Sequence, residues 1–111
     1  MISADDFRHT ALAFPGAEEK SHMGHPDFRV GGKIFATLGS PDDGWAMVQL
    51  LPEQQELAMA AEPDSFRPAA GAWGRGGSTL VRLDCVSEEW AGRTLDWAWA
   101  KRAPLGLKGK G

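Results

Sequence analysis

Apolar and polar positions change rhythm along the first half of this chain. Ala4, Phe7, Ala11 and Phe14 recur at intervals of three and four residues, the spacing of one helix face. Ser3 can accept a hydrogen bond from an orphan amide at the helix start, and the helix dipole favours Asp5 and Asp6 in its first turn. Pro15-Gly16 closes the element, since the residue before proline avoids helical geometry and glycine takes the turn. The period then drops to two. Residues 18–23 read as a first strand, 26–31 and 33–38 as a hairpin, and 45–50 as a further strand after the turn-rich loop 39–44.

In the second half, Pro52 stands where a helix accepts proline, at its first position. Glu53 to Ala61 are good helix formers and stop before Pro63. Residues 63–77, rich in proline, glycine and alanine, are expected to be a long hairpin loop carrying Trp73 and Arg75, and residues 78–83 a strand. Ser87 caps a last helix with Glu88 and Glu89 at its positive end and Lys101 and Arg102 at its negative end; Pro104 ends it. Trp90, Ala91, Thr94, Leu95, Trp97 and Ala98 form its apolar stripe. Trp97 and Trp99 lie about 200° apart on the helix, so one of them belongs at a rim. Residues 1–104 form a single domain and 105–111 a flexible basic tail by this reading. The order is helix, about three strands, helix, one or two strands, helix. Short hairpin connections make the sheet antiparallel, and the class is α+β, a two-layer sandwich.

Gly31-Gly32 between period-two flanks marks a two-residue turn, which pairs Val30 with Lys33, Arg29 with Ile34 and Phe28 with Phe35. Phe28, Val30 and Phe35 then share one sheet face with Lys33, while Ile34, Ala36 and Leu38 share the other with Arg29. Three helices fully cover only one face of such a sheet, so an apolar surface is expected to stay partly open.

Composition narrows the setting. The chain has 111 residues, 42% hydrophobic and 24% charged, as in an ordinary globular domain. No apolar run is long enough for a membrane helix, and no basic-then-apolar leader opens the sequence. A cytoplasmic protein without a membrane partner is expected, a monomer or homodimer. Cys85 is the single cysteine, which excludes an internal disulfide. Residues 1–63 hold four basic and ten acidic side chains, and residues 64–111 hold eight basic and five acidic. Such asymmetry can mark a polyanion-facing side, although a DNA-binding domain is usually basic overall and this chain is at −3.

No side-chain set assembles into a reaction centre at this level. His22 and His25 are three apart with Asp27 nearby; in a strand-to-turn segment that spacing points them to opposite sides, so a polar turn is expected and no metal. Cys85, at a strand end and far in sequence from any histidine, reads as a buried structural thiol. Residues 71–77 are glycine-rich but precede a strand rather than a helix, unlike a phosphate-cradling loop. No cofactor is expected.

The chain resembles the MmcQ/YjbR family of small bacterial proteins over nearly its whole length. Ala11-Leu12 and Phe14-Pro15-Gly16-Ala17-Glu18-Glu19 carry the likeness early, and His25-Pro26-Asp27-Phe28-Arg29-Val30 with Gly32-Lys33-Ile34-Phe35-Ala36 carry it in the middle. Ala98-Trp99 and Ala103-Pro104 carry it near the end. The resemblance implies an α-β(3)-α-β(2)-α fold of the secretion-chaperone-like or CyaY-like kind, and a bacterial, non-enzymatic DNA-binding module. Weak, salt-sensitive phosphate contacts are then expected from Lys33, Arg67, Arg75, Arg82, Lys101 and Arg102, with Trp73 in a wing loop. The alternative is a module binding a protein or small ligand on the open sheet face around Phe28, Lys33, Phe35 and Trp45.

Overall fold

Ser3 closes a reciprocal cap at the start of α1 (Ala4–Leu12): the Asp6 amide donates to its Oγ and its own amide donates to the Asp6 carboxylate, both at 3.0 Å. The computed structural model describes residues 1–39 and 41–108. After α1 come β1 (Glu18–His22), β2 (His25–Val30), β3 (Lys33–Leu38) and β4 (Trp45–Gln49), then α2 (Pro52–Ala61). β5 (Phe66–Pro68), α3 (Gly71–Arg75), β6 (Ser78–Arg82), α4 (Glu88–Arg102) and α5 (Leu105–Lys108) complete the chain. The strands form one antiparallel sheet in the order β1-β2-β3-β4-β6-β5. The α+β sandwich stands, with a fourth strand ahead of α2.

Two tight hairpins set the register. Gly31 and Gly32 have φ of 59° and 80°, the doubly positive pair of a type I′ turn. Val30 faces Lys33 and Arg29 faces Ile34 as the turn dictates, but Phe28 faces Ala36 rather than Phe35. Phe35 is the extra residue of a β-bulge, which puts two consecutive side chains on one face. The expected division is therefore corrected: Phe28, Val30, Phe35, Ala36 and Leu38 all lie buried, on the side packed by α4.

That side holds the core. Phe7 from α1 meets Phe28 at 6.1 Å between ring centroids, and Leu95, Val48, Val81 and Phe66 extend the packing across the sheet. Trp99 stacks on Phe14 at 5.9 Å and donates its ring N–H to the Pro15 carbonyl at 2.9 Å, so the indole is buried without an orphan donor. Trp97 is the rim member of the pair, edge-on to Trp90 at 6.0 Å.

Residues 63–77 are more ordered than a hairpin loop. β5 pairs with β6, Phe66 opposite Val81, and α3 fills the connection. Gln55 on α2 fastens it: its buried Nε2 lies 3.1 Å from the Gly74 carbonyl, the Ser78 carbonyl and Thr79 Oγ1. Gly77 is required at the junction, since a Cβ there would lie 1.9 Å from the Leu50 carbonyl oxygen. Within the stretch expected as a tail, Leu105–Lys108 form α5 and Leu107 packs against the core. Residues 109–111 of that expectation lie outside the described residues. No helix among the described residues is long and apolar enough to cross a membrane.

Candidate ligand groove on the open sheet face

With the helices on one side, the other side of the sheet presents Asp27, Arg29, Ile34, Thr37, Met47 and Leu80. Asp27 is its polar centre, fully buried in mid-strand. Arg29, two residues on and so on the same face, holds it with a fork: Nε donates to Oδ1 at 2.7 Å and Nη2 to Oδ2 at 3.0 Å. His22 Nδ1 donates to the same Oδ2 at 2.7 Å. An ionised carboxylate only accepts, so the proton is on Nδ1 and Nε2 is the nitrogen left for other partners. The Arg29 hydrogen bond holds the Asp27 carboxyl below its usual range against the opposing effect of burial, and His22 assists.

His22 reaches this cluster because Met23 and Gly24, with φ of 50° and 80°, make another doubly positive turn that pairs His22 directly with His25. Cross-strand partners share a face, so the expectation that the two histidines diverge is corrected. Among the described residues no group of three His, Cys, Asp or Glu side chains is placed to hold a metal ion.

The Arg29 side of this cluster opens into a groove of about 680 Å³. Ile34, Met47 and Leu80 form its apolar floor, and Trp73, on α3 and 76% exposed, stands at its rim. His22, Arg29, Lys33 and Arg102 line it, and no acidic side chain does among the described residues. Two buried polar atoms there lack a hydrogen-bond partner, Thr37 Oγ1 and Arg102 Nε, and both residues line the groove.

The residues nominated from sequence divide accordingly. Lys33, Trp73 and Arg102 come together at the groove. Lys101 does not: its ammonium donates to the Leu50 carbonyl at 2.9 Å, and burial, with Arg102 beside it, lowers its pKa. Arg82 pairs with Asp84 at 3.1 Å, Arg67 lies 4.4 Å over the Trp45 ring, and Arg75 is exposed at the last turn of α3. Phe28 and Phe35 are fully buried together beneath the helices, as a regular two-residue hairpin would also pair them; the bulge adds Ala36 and Leu38 to that side. The open face is thus opposite the two phenylalanines nominated for ligand, whereas Lys33 lines the groove and Trp45, two residues before Met47 on β4, lies on the open face. Cys85 is exposed rather than buried, and local desolvation with the Asp84 carboxylate raises its pKa, away from an activated thiolate.

The YjbR family model matches residues 12–101. The chain belongs to the YjbR family. A solved structure from Deinococcus radiodurans, protein DR2400 with a DUF419 domain, superposes on this YjbR chain with a TM-score of 0.77 at 23% identity. The superposition covers 98% of this chain and 82% of that one. At that identity the likeness is one of fold. No curated protein matches the chain. Arg29, Asp27, His22 and Thr37 are the YjbR-chain residues that reading the sequence did not nominate. The i, i+2 spacing of Asp27 and Arg29 held the signal, since it places opposite charges side by side on one strand face.

Proposed function

We propose that this chain is a binding module that takes a small, apolar organic anion in the groove on its open sheet face. One observation carries the reading: an apolar floor bordered by Lys33 and Arg102, which pair with no carboxylate, and lined by no acidic side chain among the described residues. Its volume lies in the range of small-molecule sites, roughly 300–1,000 Å³. Trp73 adds a flat apolar wall at the rim.

What supports the groove over a phosphate-tracking DNA surface is the fate of the cations. Lys101 is tied to backbone, Arg82 to Asp84, and Arg67 to an indole face. Those that remain near one another line a concavity rather than a ridge. The test is a backbone amide NMR titration with 8-anilinonaphthalene-1-sulfonate and, separately, with a short DNA duplex at low salt. The groove reading expects the sulfonate to shift Ile34, Met47, Thr37 and Leu80 saturably. A sulfonate that leaves those resonances in place, while the duplex shifts Arg67, Arg75 and Arg82, overturns it in favour of DNA.

A further inference from the structure

The two unpartnered donors say more about what the groove holds. A buried polar atom without a hydrogen bond is unfavourable and rare in folded proteins, and both such side-chain atoms among the described residues sit on groove residues. They lie at different places. Thr37 is opposite Asp27 in the ladder, on the floor. Arg102 is the last residue of α4 and lines the groove two residues before Pro104, whose ring lies against Gly31 in the turn leading into Lys33 and β3.

The two places differ in charge. Near Thr37, the Asp27 carboxylate already occupies two nitrogens of Arg29 and one of His22, so the cluster is close to neutral and suited to an uncharged oxygen. Lys33 and Arg102 have no carboxylate within ion-pair distance among the described residues. Here an anion finds two uncompensated positive charges, one a planar guanidinium fork that matches a carboxylate.

We infer that the ligand is an amphipathic organic acid, its carboxylate between Arg102 and Lys33 and a hydroxyl or carbonyl oxygen on Thr37. This rests on the groove reading above and names its ligand class. At a strand rise of roughly 3.3 Å per residue, shortened by the bulge, the two polar groups are on the order of 10 Å apart. The body between them lies over Ile34 and Met47, with Trp73 at the side.

Three probes of one chain length separate the parts: octanoate, 8-hydroxyoctanoate and 1-octanol, followed by amide NMR shifts and calorimetry. Octanoate is expected to bind about tenfold tighter than octanol, the size of one charge-assisted hydrogen bond. Arg102→Gln and Lys33→Gln each narrow that gap. Thr37→Val leaves the gap intact but removes any advantage of 8-hydroxyoctanoate over octanoate. Arg102→Gln is at a helix end and Lys33→Gln on an exposed turn, so unchanged spectra away from the groove certify their folds. Octanol binding as tightly as octanoate, or a gap that survives both Gln variants, overturns the inference while leaving the groove reading standing. If no probe shifts Ile34, Met47 or Leu80, both fall.

Discussion

Each face of the sheet carries a buried threonine, and the two are treated differently. Thr79, on the helix-packed face, is fully buried and doubly satisfied: Oγ1 donates to the Gly77 carbonyl at 2.8 Å and accepts from Gln55 Nε2 at 3.1 Å. Thr37, on the open face, is 3% exposed and its hydroxyl has no partner. One face has been completed by the fold. The other keeps donors that the fold does not use, beside an apolar floor. Unspent polar capacity next to exposed apolar surface is what distinguishes a site from a solvated sheet face.

The comparison predicts unequal responses to truncation. Phe35→Ala removes a fully buried ring from under α4. It should cost about 3–5 kcal/mol, read as a lower urea midpoint. A loss under about 1 kcal/mol would mean that the bulged residue is not a core residue and that the two faces are less distinct than described. Thr79→Val keeps shape but removes one of the three acceptors around Gln55 Nε2 and the hydroxyl donor to the Gly77 carbonyl, for a loss of about 0.5–1.5 kcal/mol. Hydrogen exchange should then rise around Gly74 and Ser78, which share the same amide.

The open face should show itself through acid. Because Arg29, with help from His22, depresses the Asp27 pKa in the folded state, the unfolded chain binds this proton more readily. The stabilisation is therefore fully present above the ordinary carboxyl range and is lost as pH falls from about 4 through the lower folded value. Asp27→Asn should lose stability at neutral pH and show a shallower decline in acid. Urea melts at about pH 6 and about pH 3 check this, and parallel declines for both proteins would remove Asp27 from the account.

Much of the fold was legible because local rules and tertiary packing agree. Ser3, Gly31-Gly32, Pro52 and Ser87 each mark a boundary that the structure keeps. The bulge at Phe35 was not legible, since one unpaired residue leaves no trace in an alternating pattern yet inverts the face of everything after it. The candidate ligand face was misplaced separately, since alternation puts Phe28 and Phe35 together without saying which side the helices cover. β5 and α3 were hidden for another reason: their order comes from Gln55, distant in sequence, and not from the propensity of a glycine-rich segment. Half of the site was readable as individual cations, Lys33 and Arg102. The half built on a buried Asp27 needed the Met23-Gly24 turn, whose first residue is not one that usually takes positive φ.

The smallest expected effect bears most directly on the comparison. Thr37→Val exchanges a hydroxyl that bonds nothing for a methyl of the same shape, so removing it uncovers no partner. Stability should stay within about 0.5 kcal/mol of the parent or rise, in contrast to the loss at Thr79. Equal losses at both positions, measured by urea unfolding under one set of conditions, would mean that the Thr37 hydroxyl is already engaged in the free protein. The open face would then be as complete as the helix-packed one. A neutral Thr37→Val beside a costly Thr79→Val separates the two roles, because a polar group that folding does not need is retained for something other than the fold.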